Sequence, residues 1–341
     1  MNRYYQIFLL LLLSGSLLAQ SDSAQFFLEK GLAEKKAGRK LEVWKHLDKA
    51  YHYDSNNKQI VSELASILFD LRKYAQAKEM MQKLEKMGEN SATHYQLLLQ
   101  ISYNLKHHDD VIRYAQLLKE KDATAKVSYM LGKTYYNQEN YGDGIRYLEQ
   151  AQKEEPGNGE IPYLIGRSYA DMFNYKYAIP HYIKAIELTP SRPEWIYELG
   201  MIHYALGDNK NALVYLLQAG EKGYKKSNDY HYNLGIAYLN TGNLDEGLKI
   251  FNELLKKRPS DLNILNLVAE SYYYAGKFDL AMEYWDKMLE YDKKNASALY
   301  MIGMCYQKKG EKDKGTMLCD KAIEMDPSLA NLKQKKQMMG M

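Results

Sequence analysis

The run His-His-Asp-Asp at residues 107–110 places four potential metal ligands side by side. Metal binding requires side chains that converge on one point, and neighbouring residues in a turn point in different directions. His46 and His52 are six residues apart, whereas residues that share one helix face are three or four apart. These spacings favour a solvated turn at 107–110, and we expect no metal site and no cofactor.

Patterns of enzymatic chemistry are also missing from the sequence. His181, His203 and His231 fall in different parts of the chain and have no Ser or Cys placed to act with them. The strings G-x-x-x-x-G-K-[ST], H-E-x-x-H and G-x-S-x-G do not occur. The sequence therefore predicts no catalytic residues and no enzyme. An enzyme built on a helical scaffold is the disfavoured alternative.

The first nineteen residues have the pattern of an export signal. Arg3 is followed by the apolar run Ile7–Leu13, which is shorter than the roughly 20 residues that span a bilayer. A cleaved signal peptide over residues 1–19 is therefore favoured over a transmembrane anchor. Cleavage after Ala19 is preferred, and cleavage after Ser16 is the alternative. No cysteine follows the run for lipid attachment, so we expect a periplasmic or secreted protein without a membrane span after cleavage.

The only two cysteines, Cys305 and Cys319, are fourteen residues apart. Export would permit a disulfide between them. A disulfide also requires Cα atoms within about 7 Å, and lone thiols on adjacent helices are more often small buried hydrophobic groups. Buried thiols are favoured, and the disulfide stays open at this point.

The charges of the chain are nearly balanced, with 46 Lys and Arg against 43 Asp and Glu. Such a balance gives no overall field that would attract nucleic acid, so nucleic acid is not expected as a partner. The unusual feature of the composition is 32 tyrosines against 7 phenylalanines. These rings belong either to the architecture or to a repeated binding surface.

Small residues recur along the chain at a fixed period, which indicates internal repeats. They are Gly132, Gly166, Gly200, Gly235, Ala269 and Gly303, separated by 34 or 35 residues, and Leu99, Ala65 and Gly31 continue the phase upstream. Apolar residues between them have helical spacing and predict two helices per repeat, joined by a short polar turn. One such repeat is too small to fold alone, so the repeats must stack.

The period places nine repeats after the signal peptide, within residues 20–329. Their ranges are 24–57, 58–91, 92–124, 125–158, 159–192, 193–227, 228–261, 262–295 and 296–329. Residues 330–341 are expected to form a tail or part of a capping helix. No linker rich in Pro, Gly or Ser interrupts the array, so no further domain boundary is expected.

The repeats resemble the tetratricopeptide repeat, and the resemblance covers roughly residues 24–329. The fullest match has Ile165, Gly166, Tyr169, Ala178, Tyr182, Ala185 and Pro190 at the family's marker positions. Gly144, Gly247 and Gly315 depart from the family's alanine, each at a cost of up to about 1 kcal/mol of helix propensity. The resemblance implies an all-α fold: a right-handed α-α superhelix, or solenoid, of about nine helical hairpins.

The resemblance also implies a concave groove lined by the first helix of each repeat. Counting from the markers, the candidate partner-binding residues are Tyr129, Lys133, Tyr136, Tyr163, Arg167, Tyr197, Tyr204, Tyr232, Tyr273 and Tyr300. Tyrosine suits recognition because it offers a large contact area and a hydroxyl at little cost in rotamer entropy. The same tyrosines are also common structural residues of such repeats. No repeat has the Lys at position five and Asn at position nine with which some relatives clamp a terminal carboxylate.

Together these features predict an exported scaffold that binds a protein, as a peptide or a helix, in a tyrosine-lined groove. The alternative is a structural or assembly subunit of a cell-envelope machine that uses its convex face and edges. The sequence leaves the identity of the partner, the pathway and the oligomeric state open.

Overall fold

The computed structural model of the chain describes residues 22–331, and these residues contain helices and turns but no strand. The predicted all-α class is confirmed. The signal peptide predicted at 1–19 and residues 332–341 of the predicted tail lie outside the described residues. By its internal contacts the chain divides into two compact units, an N-terminal unit that ends at Met172 and a C-terminal unit that begins at Phe173.

The N-terminal unit is a stack of helices in which each helix packs on its neighbours in the sequence. They are α1 (residues 22–36), α2 (Lys40–Tyr53), α3 (Lys58–Asp70), α4 (Tyr74–Lys86), α5 (Ala92–Asn104), α6 (His108–Lys121), α7 (Ser128–Asn137), α8 (Tyr141–Glu154) and α9 (Glu160–Asp171).

The C-terminal unit repeats this arrangement. Its helices are α10 (Tyr175–Leu188), α11 (Pro193–Ala205), α12 (Asn209–Glu221), α13 (Asn228–Asn240), α14 (Leu244–Lys257), α15 (Leu262–Tyr274), α16 (Phe278–Tyr291), α17 (Ala296–Lys308) and α18 (Lys312–Met325). A short 3-10 helix, Pro327–Leu329, follows α18 and packs against it. Within each unit, helical hairpins stacked in sequence order form an α-solenoid.

The first helix of each hairpin ends in the same type of C-cap. After α3, the N–H of Lys73 donates to the Leu68 carbonyl at 2.8 Å, and the N–H of Arg72 donates to the Phe69 carbonyl at 2.9 Å. This is the Schellman arrangement, which needs one residue in the left-handed region. That residue is Gly38, Arg72, Lys106 and Glu139 in the N-terminal unit and Phe173, Gly207, Gly242, Gly276 and Gly310 in the C-terminal unit. The turn therefore recurs with the period of the repeat.

Proline ends several of the second helices, as the sequence predicts. The last helical residues are Glu154, Leu188, Lys257 and Met325, and in each case a proline stands two residues later. A proline cannot donate the backbone hydrogen bond that would continue the helix, and it disfavours helical geometry in the residue before it. The chain then leads into the first helix of the next repeat.

The two helices of the last hairpin approach closely at a pair of glycines. A Cβ atom built on Gly315 would lie 2.6 Å from the carbonyl oxygen of Gly303 and 2.8 Å from the backbone nitrogen of Gln307. A Cβ on Gly144, at the same position of its repeat, would lie 3.3 Å from the backbone nitrogen of Tyr136. The α17–α18 pair is therefore too close for any side chain at Gly315, whereas the α7–α8 pair leaves more room.

We expect Gly315→Ala to destabilise the protein by about 1–3 kcal/mol, because backbone atoms block the added methyl group and the helices must separate. Gly144→Ala is expected to cost much less, since the helix-propensity gain of up to about 1 kcal/mol offsets a smaller clash. Urea denaturation followed by circular dichroism measures both. Gly142→Ala is the control, because no atom lies within 4 Å of its added Cβ. Equal stabilities for the Gly315 and Gly144 variants would contradict this account.

His94 is a polar residue in the core of the N-terminal unit. Its side chain is 4% exposed, and neither ring nitrogen has a hydrogen-bond partner. Burial lowers the pKa of His94, and the carboxylates of Glu85 and Glu89 oppose this shift only in part. The native state therefore holds a neutral imidazole where the unfolded chain takes up a proton near pH 6.5.

The stability of the protein should consequently depend on pH through His94. At pH values above the unfolded-state pKa, the imidazole is neutral in both the folded and the unfolded state, so its protonation does not reduce the stability. As the pH falls below about 6.5 the unfolded state binds the extra proton, so the free energy of unfolding drops by up to about 1.4 kcal/mol per pH unit. Denaturation of the wild type and His94→Phe at pH 7.5, 6.5 and 5.5 measures this term. Parallel pH dependences of the two proteins would exclude it.

Both cysteines are buried thiols. Burial raises the pKa of the Cys305 thiol to about 12. The Cys319 thiol donates a weak hydrogen bond to the Tyr300 carbonyl, with 3.5 Å between sulfur and oxygen. The structure thus agrees with the buried thiols that the sequence favours over a disulfide.

Candidate partner-binding groove

In the N-terminal unit, α7 and α9 bring Lys133 between a tyrosine and a carboxylate. The Lys133 ammonium donates to Glu160 Oε1 at 2.7 Å and lies 3.4 Å from the Tyr129 hydroxyl. Burial is the largest single influence and by itself would lower the pKa of Lys133, but Glu160 and Tyr103 together outweigh it, so the pKa is raised. Burial raises the pKa of Tyr129 far above its ordinary value. Lys133 is therefore charged and Tyr129 neutral at physiological pH.

Arg167 occupies a similar place one repeat later. Its guanidinium carbon lies 6.0 Å from the ring centroids of both Tyr136 and Tyr163, and Nη1 donates to the Tyr163 hydroxyl at 3.3 Å. The Tyr136 hydroxyl in turn donates to Asp171 Oδ2 at 3.0 Å. Burial raises the pKa of Tyr136, so it too remains protonated. The structure thus brings together all five predicted residues of this unit and pairs their cations with rings and carboxylates.

In the C-terminal unit, Tyr197 is held by groups that the sequence did not point to. Its ring stacks on Tyr224 with centroids 4.3 Å apart and planes inclined by 7°. Asn233 Nδ2 donates to the Tyr197 hydroxyl at 2.6 Å. Tyr230 lies beside both rings and donates its hydroxyl to the Leu216 carbonyl at 3.1 Å. Tyr197 therefore presents a ring whose position is fixed from two sides.

The other predicted tyrosines of this unit differ in their surroundings. Tyr232 meets Phe251 edge to face at 5.7 Å, and Tyr273 meets Trp285 edge to face at 6.0 Å. Tyr204, at 38% exposure, is the most open of the set.

Tyr300 is only 5% exposed and belongs to the core cluster of Cys319, Ala322 and Leu329. The 3-10 helix that carries Leu329 packs on α18 at this end of the described chain. Tyr300 therefore contributes to the core and offers little surface to a partner, in contrast to the groove role that the sequence indicates.

The candidate residues were counted at positions five, nine and twelve of each repeat, which in α9 hold Tyr163, Arg167 and Ala170. Several polar residues of this surface lie outside these positions. Glu160 lies three residues before Tyr163 and Asp171 lies four residues after Arg167, so extending the face of these two residues by a turn at each end of α9 would have found them. Tyr224 follows α12, outside the first helices, and the repeat pattern gives no signal for it.

The His-His-Asp-Asp run at 107–110 has a structural role. His107 stands at the N-cap position of α6 without a side-chain capping hydrogen bond, and the three residues after it form the helix's first turn, where acidic side chains complement the helix dipole. Lys78 Nζ lies 2.7 Å from His107 Nδ1 and forms an ion pair with Asp110. Among residues 22–331 there is no cluster of three His, Cys, Asp or Glu side chains arranged to hold a metal ion.

Family models for the tetratricopeptide repeat match residues 129–171, 163–228, 228–261 and 296–329. No curated protein matches the chain significantly. Within residues 22–331, none of the helices combines the length and apolar character needed to cross a membrane.

Solved structures of tetratricopeptide-repeat proteins are similar to the chain. YrrB, described as having an unusual peptide-binding site, is 22% identical, with 55% of this chain and 97% of its own covered and a TM-score of 0.44. The C-terminal part of a repeat protein from Cytophaga hutchinsonii is 17% identical, with coverages of 82% and 98% and a TM-score of 0.48. PilW, a type IV pilus biogenesis factor, is 17% identical, with coverages of 59% and 93% and a TM-score of 0.41.

Proposed function

Because this chain belongs to the tetratricopeptide repeat family, we propose that it is a scaffold that binds another protein through the first helices of its repeats. The observation that carries the proposal is the array of half-buried tyrosines on these helices, with Arg167 between two of them. The mechanism is binding without covalent chemistry.

The surroundings of these tyrosines support a binding role. Tyr136 is hydrogen-bonded to Asp171, and Tyr197 is stacked on Tyr224, so their rings are held in place before a partner arrives. A ring that is already ordered loses little conformational entropy on binding, which leaves more of the contact energy for affinity. Arg167 adds a cation that can recognise a carboxylate or the carbonyl groups of a peptide.

We expect Tyr163→Ala combined with Arg167→Ala to weaken partner binding by about tenfold or more, because it removes the two groups that frame this surface. The variant and the wild type are immobilised in parallel, proteins are captured from an envelope extract, and dissociation constants are then measured for each captured protein.

Tyr177→Ala is the matched control, since it removes one exposed tyrosine from a second helix, α10. Circular dichroism must show equal helicity for all three proteins. If the folded double variant captures the same proteins with undiminished affinity, the groove proposal is wrong.

An assembly subunit that binds through its second helices is the other candidate function. Tyr177, Val214 and Met317 are each more than half exposed and lie on the second helices α10, α12 and α18 of the C-terminal unit. Exposed apolar side chains on a soluble surface favour contact with another protein. This function predicts the reverse of the result above: binding survives in the double variant and is lost in Tyr177→Ala.

We also propose that the protein is exported, on the pattern of Arg3 followed by the apolar run Ile7–Leu13. Expression of the full chain in a Gram-negative host should yield a periplasmic protein that begins at Gln20, or at Leu17 if cleavage follows Ser16. N-terminal sequencing of the periplasmic fraction checks this. Leu10→Arg, which interrupts the apolar run, should hold the chain in the cytosol. Full-length wild type in the cytosolic fraction would contradict export.

A further inference from the structure

A pocket of about 250 Å³ lies in the N-terminal unit between the end of α5 and the turn that follows it, the start of α6, and α7. Basic and amide side chains dominate its lining: Lys106, His108, Lys133, Asn104 and Asn137, with Tyr103 beside them. Tyr103 and Lys133 belong to first helices, so the pocket opens beside the surface described above.

The pocket is distinguished by its charge. Lys106, His108 and Lys133 are basic, and no carboxylate belongs to the lining. A second pocket of the same unit, of about 320 Å³, contains lysines together with Glu63 and Glu89, and there Lys35 pairs with Glu63 at 2.6 Å. The charges of the second pocket cancel internally, whereas in the first pocket Lys133 is paired with Glu160 and the charge of Lys106 is left to attract an anion.

Lys133 shows which kind of anion fits. Its ammonium already holds the Glu160 carboxylate at 2.7 Å, although Glu160 itself does not line the pocket. The same ammonium also lies 3.4 Å from the Tyr129 hydroxyl. An ammonium has three donors, so it can hold one further acceptor without releasing Glu160. Lys106 and Lys133 together with Glu160 leave roughly one positive charge. This charge matches a carboxylate better than a dianionic phosphate, for which a guanidinium fork would also be expected.

Lys106 itself supplies a further observation. It has φ 57°, in the left-handed region, at a turn position where five repeats have glycine and three others have Arg72, Glu139 or Phe173. A side chain there is strained by roughly 1 kcal/mol relative to glycine. Lys106 also has no ion-pair partner among residues 22–331. The chain therefore holds an unpaired cation at the pocket.

We propose that this pocket is a subsite for an acidic side chain, Asp or Glu, of the protein partner. The inference rests on the proposed scaffold function and specifies the chemistry that this part of the scaffold recognises. It differs from the terminal-carboxylate clamp discussed above, which takes its lysine from position five and its asparagine from position nine. Here Lys133 comes from position nine and Lys106 from the turn.

The probe is a fluorescein-labelled pentaglutamate peptide with blocked ends, and fluorescence anisotropy measures its binding to the full chain at 50 mM and 500 mM NaCl. Matched pentaglutamine tests the charge, and unlabelled inorganic phosphate tests the competing anion. We expect pentaglutamate to bind at low salt and to be released at high salt, since exposed charges are screened. Pentaglutamine should not bind, and phosphate should compete only weakly.

Lys106→Gly is the decisive variant, because it removes the cation and relieves the left-handed strain at the same time. We expect pentaglutamate binding about three- to tenfold weaker and a higher melting temperature, so the loss cannot be ascribed to unfolding. Arg72→Gly is its matched control: Arg72 occupies the same turn position one repeat earlier, with φ 58°. It should raise the melting temperature likewise and leave binding unchanged. Lys133→Met should weaken binding as Lys106→Gly does.

Three results would overturn the subsite: equal binding of pentaglutamine and pentaglutamate, wild-type affinity in Lys106→Gly, or displacement of the peptide by equimolar phosphate. The scaffold proposal fails by a different result. If the Tyr163 and Arg167 double variant still loses its captured protein while Lys106→Gly binds pentaglutamate normally, the subsite alone is wrong. If the double variant captures everything and Lys106→Gly loses pentaglutamate, the groove alone is wrong.

Discussion

The close approach of the two helices in each hairpin is the constraint on which the rest of the structure depends. At Gly303 and Gly315 the backbones are so near that a Cβ on either residue would lie within 2.8 Å of the other's carbonyl oxygen. At Gly132 an added Cβ would lie 2.6 Å from Leu148 Cγ. Small residues permit this approach, and the approach fixes how each first helix is presented. The spacing of the surface side chains follows from it.

The tyrosines on that surface are packed on one side and partly exposed on the other. Tyr197 stacks on Tyr224, and Tyr232 and Tyr273 meet core aromatic rings edge to face. Because one side of each ring is packed, truncation to alanine removes stability as well as contact area. A ring with one packed side is also already ordered. A tyrosine in this position can therefore stabilise the fold on its packed side and still contact a partner on its open side.

The charged side chains of the N-terminal unit act through local pairs and not through an electrostatic field over the whole unit. Lys133 pairs with Glu160, 27 residues away in the chain, and Tyr136 reaches Asp171, 35 residues away. Each pair joins first helices of successive repeats, so the repeat period brings the partners together. Lys106 stands apart because no carboxylate within residues 22–331 pairs with it, and none lines its pocket.

The amino-acid sequence by itself determined the helices, their period and the face on which Tyr129, Lys133 and Arg167 lie, because these follow from local spacing. The sequence did not determine how deeply each side chain is buried or which side chains it contacts. Tyr300 occupies the same repeat position as Tyr129, yet packing of Leu329 and Cys319 beside it places it in the core. The helical face of α9 points to Glu160, but its pairing with Lys133 depends on how α7 and α9 pack. Burial and hydrogen bonding between distant residues depend on which surfaces meet, and only the tertiary structure decides that.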